Sequence, residues 1–225
     1  MSESSSTGAG RLQIEAGVRK PEPVEVTRAR YDRLAPVYDL LEWLPERGRF
    51  GRWRSRLWRR VPPGRLLEVG VGTGKNMPHY PPDTTVTAVD ISPRMLGRAA
   101  GRAARLGRDV RLHLMDVQTL AFPDAAFDAA AATFVFCSVP DPVLGLRELR
   151  RVVRPGGRIY LLEHMRADHP ILGRMMDWLD PIVVRLLGPH INRRTVANVM
   201  AAGLDIETVE DLTPSGIVRL ITVRV

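Results

Sequence analysis

The chain has 225 residues, 44% of them hydrophobic and 26% charged, enough for one sizeable core and too few for two comfortable domains. No uncharged apolar run reaches the ~20 residues of a membrane-spanning helix, and the Ser- and Gly-rich start lacks the apolar stretch of a secretory signal, so a cytoplasmic location is expected. A formal net charge of +8 invites an anionic partner, one cysteine excludes an internal disulfide, and five histidines without an HExxH or Cys/His pattern predict no metal site.

Residues 1–25 read as a disordered tail, with Pro21 and Pro23 interrupting any helix. A helical cap over 26–61 follows. Its first part carries Tyr31-Asp32-Arg33-Leu34-Ala35-Pro36-Val37-Tyr38-Asp39 and predicts one or two short helices broken near Pro36. A further helix is expected through about 46–60, where seven arginines and no acid lie between Arg47 and Arg60. On that helix Phe50, Trp53, Leu57 and Val61 share one stripe, with Trp58 at its edge. Aromatic rings and arginine stems suit a lipid headgroup layer, so residues 46–60 are a candidate surface for an anionic membrane; packing of the same stripe on a sheet is the alternative. Nucleic acid is disfavoured, because the aromatics line an apolar stripe and do not punctuate an exposed basic face.

Residues 62–225 form the main domain, opened by Pro62-Pro63-Gly64. The strand Leu66-Leu67-Glu68-Val69 runs into Gly70, Gly72 and Gly74, and the next strand closes on Asp90. Glycines at these positions let the backbone turn sharply and approach a ligand, while the Asp90 carboxylate suits the two hydroxyls of a ribose. The third glycine comes one residue earlier than in the dinucleotide fingerprint, and Glu68 would repel a phosphate entering the turn. A nucleoside with a cationic, methionine-like end is therefore expected, and NAD is not. Asn76 is expected to open a helix after the turn and to reach that ligand's carboxylate.

Strands and helices then alternate, which implies a parallel sheet with right-handed crossovers. The strand at 84–90 precedes a helix at 93–106 with Ser92 as N-cap and Pro93 at its first position, and the strand at 110–116 ends on Asp116. Cys137, within Phe134-Val135-Phe136-Cys137, reads as a small buried hydrophobe. Asp141-Pro142 opens a helix over 143–153, Pro155-Gly156-Gly157 ends it, and a strand at 158–163 places Glu163 and His164 at its carboxyl end. The Met- and Leu-rich stretch 170–189 suits core or lid equally. Strands at 204–209 and 217–225 close the chain around Pro214-Ser215-Gly216.

These segments, from Glu68 through Gly157, resemble the class I S-adenosylmethionine-dependent methyltransferases. The resemblance implies an α/β fold, a seven-stranded, mostly parallel Rossmann-like sheet of order 3-2-1-4-5-7-6 with helices on both faces and an N-terminal helical cap. It also implies S-adenosyl-L-methionine as cofactor, held by Tyr31, Glu68, Gly70, Gly72, Gly74, Asn76, Asp90, Ile91, Met95, Asp116, Val117, Thr133 and Phe134, with Asp116 beside the adenine amino group. The Tyr31–Asp39 motif resembles those of quinone C-methyltransferases and of bacterial phosphatidylethanolamine N-methyltransferases. Gly72-Thr73-Gly74-Lys75-Asn76, Phe136-Cys137-Ser138-Val139 and Glu163-His164 resemble membrane-associated thiol S-methyltransferases; the Asn and Arg typical of the quinone enzymes are absent at Cys137-Ser138. The leading expectation is N-methylation of a phospholipid ethanolamine headgroup, with a small-molecule or lipid acceptor and a non-catalytic cofactor- or membrane-binding module as the alternatives. An amine acceptor must shed a proton, for which Tyr38, His164 and His190 are the candidates.

Overall fold

The computed structural model describes residues 23–225 except 42, 44–45 and 187–188; residues 1–22 of the expected tail lie outside the described residues. One sheet contains β1 (Arg65–Val69), β2 (Thr85–Asp90), β3 (Val110–Leu114), β4 (Phe127–Thr133), β5 (Val153–His164), β6 (Asp205–Asp211) and β7 (Val218–Arg224), in the order 3-2-1-4-5-7-6. The first five strands run parallel, and β7 pairs antiparallel with β5 and β6. The helices are α1 (Val24–Leu41), α2 (Gly51–Trp58), α3 (Pro93–Leu106), α4 (Pro142–Val152), α5 (Pro170–Leu186) and α6 (Thr195–Ala201).

Alternation along the strands sorts the core into two layers. Leu67, Ala130, Ala132, Ile159 and Leu161 pack with Leu146, Leu149 and Val199 of α4 and α6. Their neighbours Leu66, Ala129, Ala131, Tyr160 and Leu162 pack with Leu57, Trp58, Ala99 and Ala103 of α2 and α3. Four successive alanines in β4 bring both helical layers close to the central strand. The parallel strands all end on the same edge, where a ligand site of an open α/β sheet forms.

Several elements depart from the sequence expectation. α1 runs through Pro36 unbroken. That proline offers no N–H to the Asp32 carbonyl, and Arg94 Nη1 donates to it at 3.4 Å instead. The segment 46–60 is two pieces, an irregular turn at Glu46–Phe50 with non-helical Gly48 and then α2. Its apolar stripe faces inward: Leu57, Trp58 and Val61 are buried, and Phe50 stacks on Trp53 with ring centroids 5.5 Å apart. Burying such side chains is worth roughly 1.5–3 kcal/mol each, so the sheet outcompetes an external surface for them. Arg54 is buried too, and Arg56 and Arg60 pair with Glu210.

After β1 the expected helix is absent; a 3-10 turn, Met77–His79, stands in its place, with Pro78 inside it and Pro81 and Pro82 beyond. β5 begins at Val153 directly after α4, so Pro155-Gly156-Gly157 lie within the strand and do not cap the helix. α5 resolves the choice between core and lid by having two faces, with Gly173, Met176 and Asp180 buried and Ile171, Met175, Trp178 and Ile182 exposed.

Candidate active site

The chain leaves β1 through Gly70, Gly72 and Gly74, whose φ angles of +64°, +55° and +80° are costly for residues with a Cβ. Each serves a different need. A Cβ on Gly70 would lie 2.4 Å from Val135 Cγ2, and one on Gly74 would press on Met77 Cε at 2.8 Å. One on Gly72 would meet no atom within 4 Å, in open space at the wall of a cavity of about 720 Å³ that includes its mouth.

Two strand-end carboxylates line this cavity. Asp90 accepts the Gly72 N–H at 2.8 Å through Oδ2 and the Ser92 N–H at 2.9 Å through Oδ1, which leaves a further lone pair on each oxygen for a ligand hydroxyl. Burial raises its pKa while those backbone bonds hold it down. Asp116 is held by Gln118, whose Nε2 donates to it at 2.9 Å and whose Oε1 accepts from the Asp141 N–H at the start of α4. Ile91, Met95 and Val117 supply apolar wall, and Thr133 and Phe134 close the end beyond β4. Phe134 is held in the left-handed region at φ +57°, fixed by its N–H bond to the Leu162 carbonyl at 2.8 Å. These groups fit S-adenosylmethionine: a carboxylate for the ribose diol, a second carboxylate and an apolar wall for the base, and a Cβ-free gap where the backbone meets the ligand.

α1 forms the roof. Thr27, Tyr31 and Tyr38, at spacings of four and seven, share one helical face and all line the cavity. Asp32 and Asp39 repeat the spacing of seven on the neighbouring face and fasten the helix down. Asp32 accepts the Ser92 hydroxyl at 2.6 Å; Asp39 accepts the Thr73 hydroxyl at 2.6 Å and pairs with Arg98 and Arg102. Buried Ala35 sits between them. The Tyr31 hydroxyl bonds Ser138 Oγ at 2.6 Å, across the cavity to the segment that follows β4.

Glu68 and Asn76 lie beneath the turn and not in the cavity wall. Glu68 is fully buried and accepts hydrogen bonds from Asn76 Nδ2 at 2.6 Å and from the Tyr80 hydroxyl; burial pushes its pKa up to about 7. Asn76 also donates to Thr133 Oγ1 and accepts from Arg54 Nη1, both at 3.1 Å, and Arg54 continues to Glu46. The pair thus braces the glycine turn from below. Gly74 is likewise outside the wall.

Of the candidate proton acceptors, Tyr38 alone lines the cavity. His164 stands half-buried at the end of β5, its pKa lowered by that burial. His190 Nδ1 lies 2.8 Å from buried Asp180 on α5, and its backbone N–H donates to the Cys137 carbonyl. Burial pushes the Cys137 thiol up to about 12, an unreactive state.

Ser138, named from the sequence only within the Phe136–Val139 motif, and Thr27 and Arg54 were not among the expected site residues. A serine inside the apolar run after β4, and a threonine four residues before Tyr31, were the signals available for the first two. Arg54 carried none, since it is one arginine among seven.

The methyltransferase domain family matches residues 67–161. A phosphatidylethanolamine N-methyltransferase of Cereibacter sphaeroides is 40% identical over 107 residues, 47% of this chain and 53% of that protein, so the chain spans about half the length of this relative. A ubiquinone/menaquinone biosynthesis C-methyltransferase of Geobacter sp. (strain M21) is 32% identical over 67% of this chain and 68% of its own. Among solved structures, the [4+2]-cyclase SpnF superposes with a TM-score of 0.73 at 20% identity, covering 91% of this chain and 96% of that one, which shows a common fold. With sheet order, glycine turn and strand-end carboxylates in place, and a relative aligned over two thirds of both sequences, the chain belongs to the class I S-adenosylmethionine-dependent methyltransferases.

Proposed function

We propose that the protein methylates the amine of a phospholipid ethanolamine headgroup, using S-adenosylmethionine. The observation that carries this reading is the tyrosine-lined roof of α1, which encloses the same cavity as Asp90 and Asp116 and derives from the Tyr31–Asp39 motif. When bound, the cofactor supplies an electrophilic methyl on a sulfonium. Asp90 and the glycine turn hold its nucleoside, while Phe134 and Tyr31 exclude water. Alignment of acceptor and methyl then supplies most of the rate enhancement. The Tyr38 hydroxyl accepts a hydrogen bond from the incoming amine and directs its lone pair; His164 at the end of β5, its pKa lowered by burial, is the second candidate, to take up the released proton through water.

The similarity to a quinone C-methyltransferase over two thirds of both chains supports a second reading, C-methylation of a lipophilic quinone. Incubation with methyl-labelled cofactor and separate phospholipid, quinone and thiol pools distinguishes them. Label in methylated ethanolamine phospholipid is the expected result. Label confined to quinone or thiol reassigns the acceptor, and cofactor binding with no labelled product in any pool identifies a binding module.

A further inference from the structure

The exposed face of α5 has the make-up of a bilayer-docking surface. Ile171, Met175, Trp178 and Ile182 are 74%, 49%, 73% and 51% exposed. At about 100° per residue they fall on a stripe roughly 60° wide, the pattern of an amphipathic interfacial helix. The opposite face is buried through Gly173, Met176 and Asp180. Arg174 and Arg185 are exposed along one border of the stripe and form no ion pair among the described residues. Asp177, the acid on the exposed half, is held by Arg166 Nη2 at 2.9 Å. The face therefore presents a tryptophan and three aliphatic side chains edged by free cations, and no unpaired acid.

Its position relates it to the cavity. Asp180 on the buried face bonds His190 Nδ1 at 2.8 Å and the Ile191 N–H at 2.9 Å. The same loop donates from the His190 N–H to the Cys137 carbonyl, and Arg193 Nη2 donates to the Val139 carbonyl at 2.9 Å. α5 is thus tied to the 137–140 segment, where Ser138, Val139 and Pro140 line the cavity.

We infer that α5 docks the protein on an anionic bilayer, its apolar stripe at the headgroup–acyl boundary and Arg174 and Arg185 on anionic headgroups. The exposed Arg174 and Arg185 and the +8 charge of the chain are complementary to an anionic membrane and disfavour a second copy of this cationic chain, while a tryptophan within an aliphatic stripe suits the headgroup–acyl boundary. The inference rests on the lipid-acceptor reading only for its purpose: docking would present headgroups beside the cavity, but binding is measurable without turnover.

The test is sedimentation of the full chain with vesicles of equal phosphatidylglycerol and phosphatidylcholine, alongside pure phosphatidylcholine vesicles. The wild type should bind the anionic vesicles and bind the neutral ones at least tenfold less. W178Q/I182S and, separately, R174E/R185E should each lower partition at least tenfold, with cofactor binding unchanged as the check on folding. Wild-type binding retained by both variants, or no wild-type binding to anionic vesicles, overturns the inference. So does a dimer in gel filtration that W178Q/I182S dissolves without any vesicle binding, because a second copy would then cover the face. If binding depends on α5 but no phospholipid is methylated even in detergent dispersion, the docking surface stands and the acceptor reading fails.

Discussion

Asp90 shows how one side chain serves both structure and ligand. Its oxygens hold the Gly72 and Ser92 N–H groups, and so fix the glycine turn and the start of α3, while the cavity-facing lone pairs remain for a ribose. Asp90→Ala removes charged acceptors from two hydroxyls, a loss of about 1.5–3 kcal/mol. Calorimetry should show a cofactor Kd raised at least tenfold; an unchanged Kd would make Asp90 a purely structural carboxylate. Tyr31→Phe deletes the hydroxyl that bridges to Ser138 at 2.6 Å. A neutral hydrogen bond contributes about 1 kcal/mol, so the expected weakening of cofactor binding is only about fivefold. A loss as large as that of Asp90→Ala would show that Tyr31 contacts the cofactor directly and does more than close the roof.

At the scale of elements, α1 is fastened through short polar contacts more than through buried area. Asp32 to Ser92, Asp39 to Thr73 and Tyr31 to Ser138 link it to three separate loops around the cavity. The two cores on either side of the sheet contain none of its described side chains. Deleting residues 1–45 should therefore leave the sheet folded, with near-native circular dichroism and a cooperative melt, while cofactor affinity falls tenfold or more. If the truncated protein bound the cofactor as tightly as the whole chain, α1 would belong to acceptor binding alone. α2 differs in kind, because Leu57 and Trp58 are buried in the sheet's core and their removal would cost the fold itself.

For the whole molecule, two carboxyls inside the sheet set a pH dependence of stability. Glu68 and Glu163 are fully buried, and burial pushes each from the ordinary 4.5 up to about 7. Their folded-state pKa values are raised, so the stability they contribute is complete below about pH 4.5 and is lost as pH rises through about 7. Asp128 works in the opposite sense: Arg65 pulls it down to about 2, and its contribution is lost as pH falls through that value. Thermal stability should accordingly peak on the acid side of neutrality and decline between pH 5 and 8. Glu163→Gln is the direct check. Its Oε1 can still accept the Val135 and Phe136 N–H groups, while the position of Oε2 has no hydrogen-bond partner to lose. The variant should show a shallower decline of Tm over that pH range, and an unaltered slope would mean that Glu163 does not titrate there.

The strands, the order of the sheet and the cavity-wall positions Gly70, Gly72, Asp90 and Asp116 were legible in the chain itself. Strand alternation and turn chemistry are local, and a family's motif order carries its sheet order with it. Folding decided what depends on a distant partner. Pro36 does not break α1, because Arg94, far along the chain, bonds the carbonyl that the proline leaves open. Glu68 and Asn76 brace the turn from below because Tyr80, Thr133 and Arg54 converge there, and no spacing in the sequence announces that meeting. Residues 46–60 read as an apolar stripe from periodicity, and the Met- and Leu-rich stretch 170–189 suited core or lid equally. Which of them met the sheet and which kept a tryptophan in solvent was settled only by packing, since an apolar stripe states that it needs covering but not what will cover it.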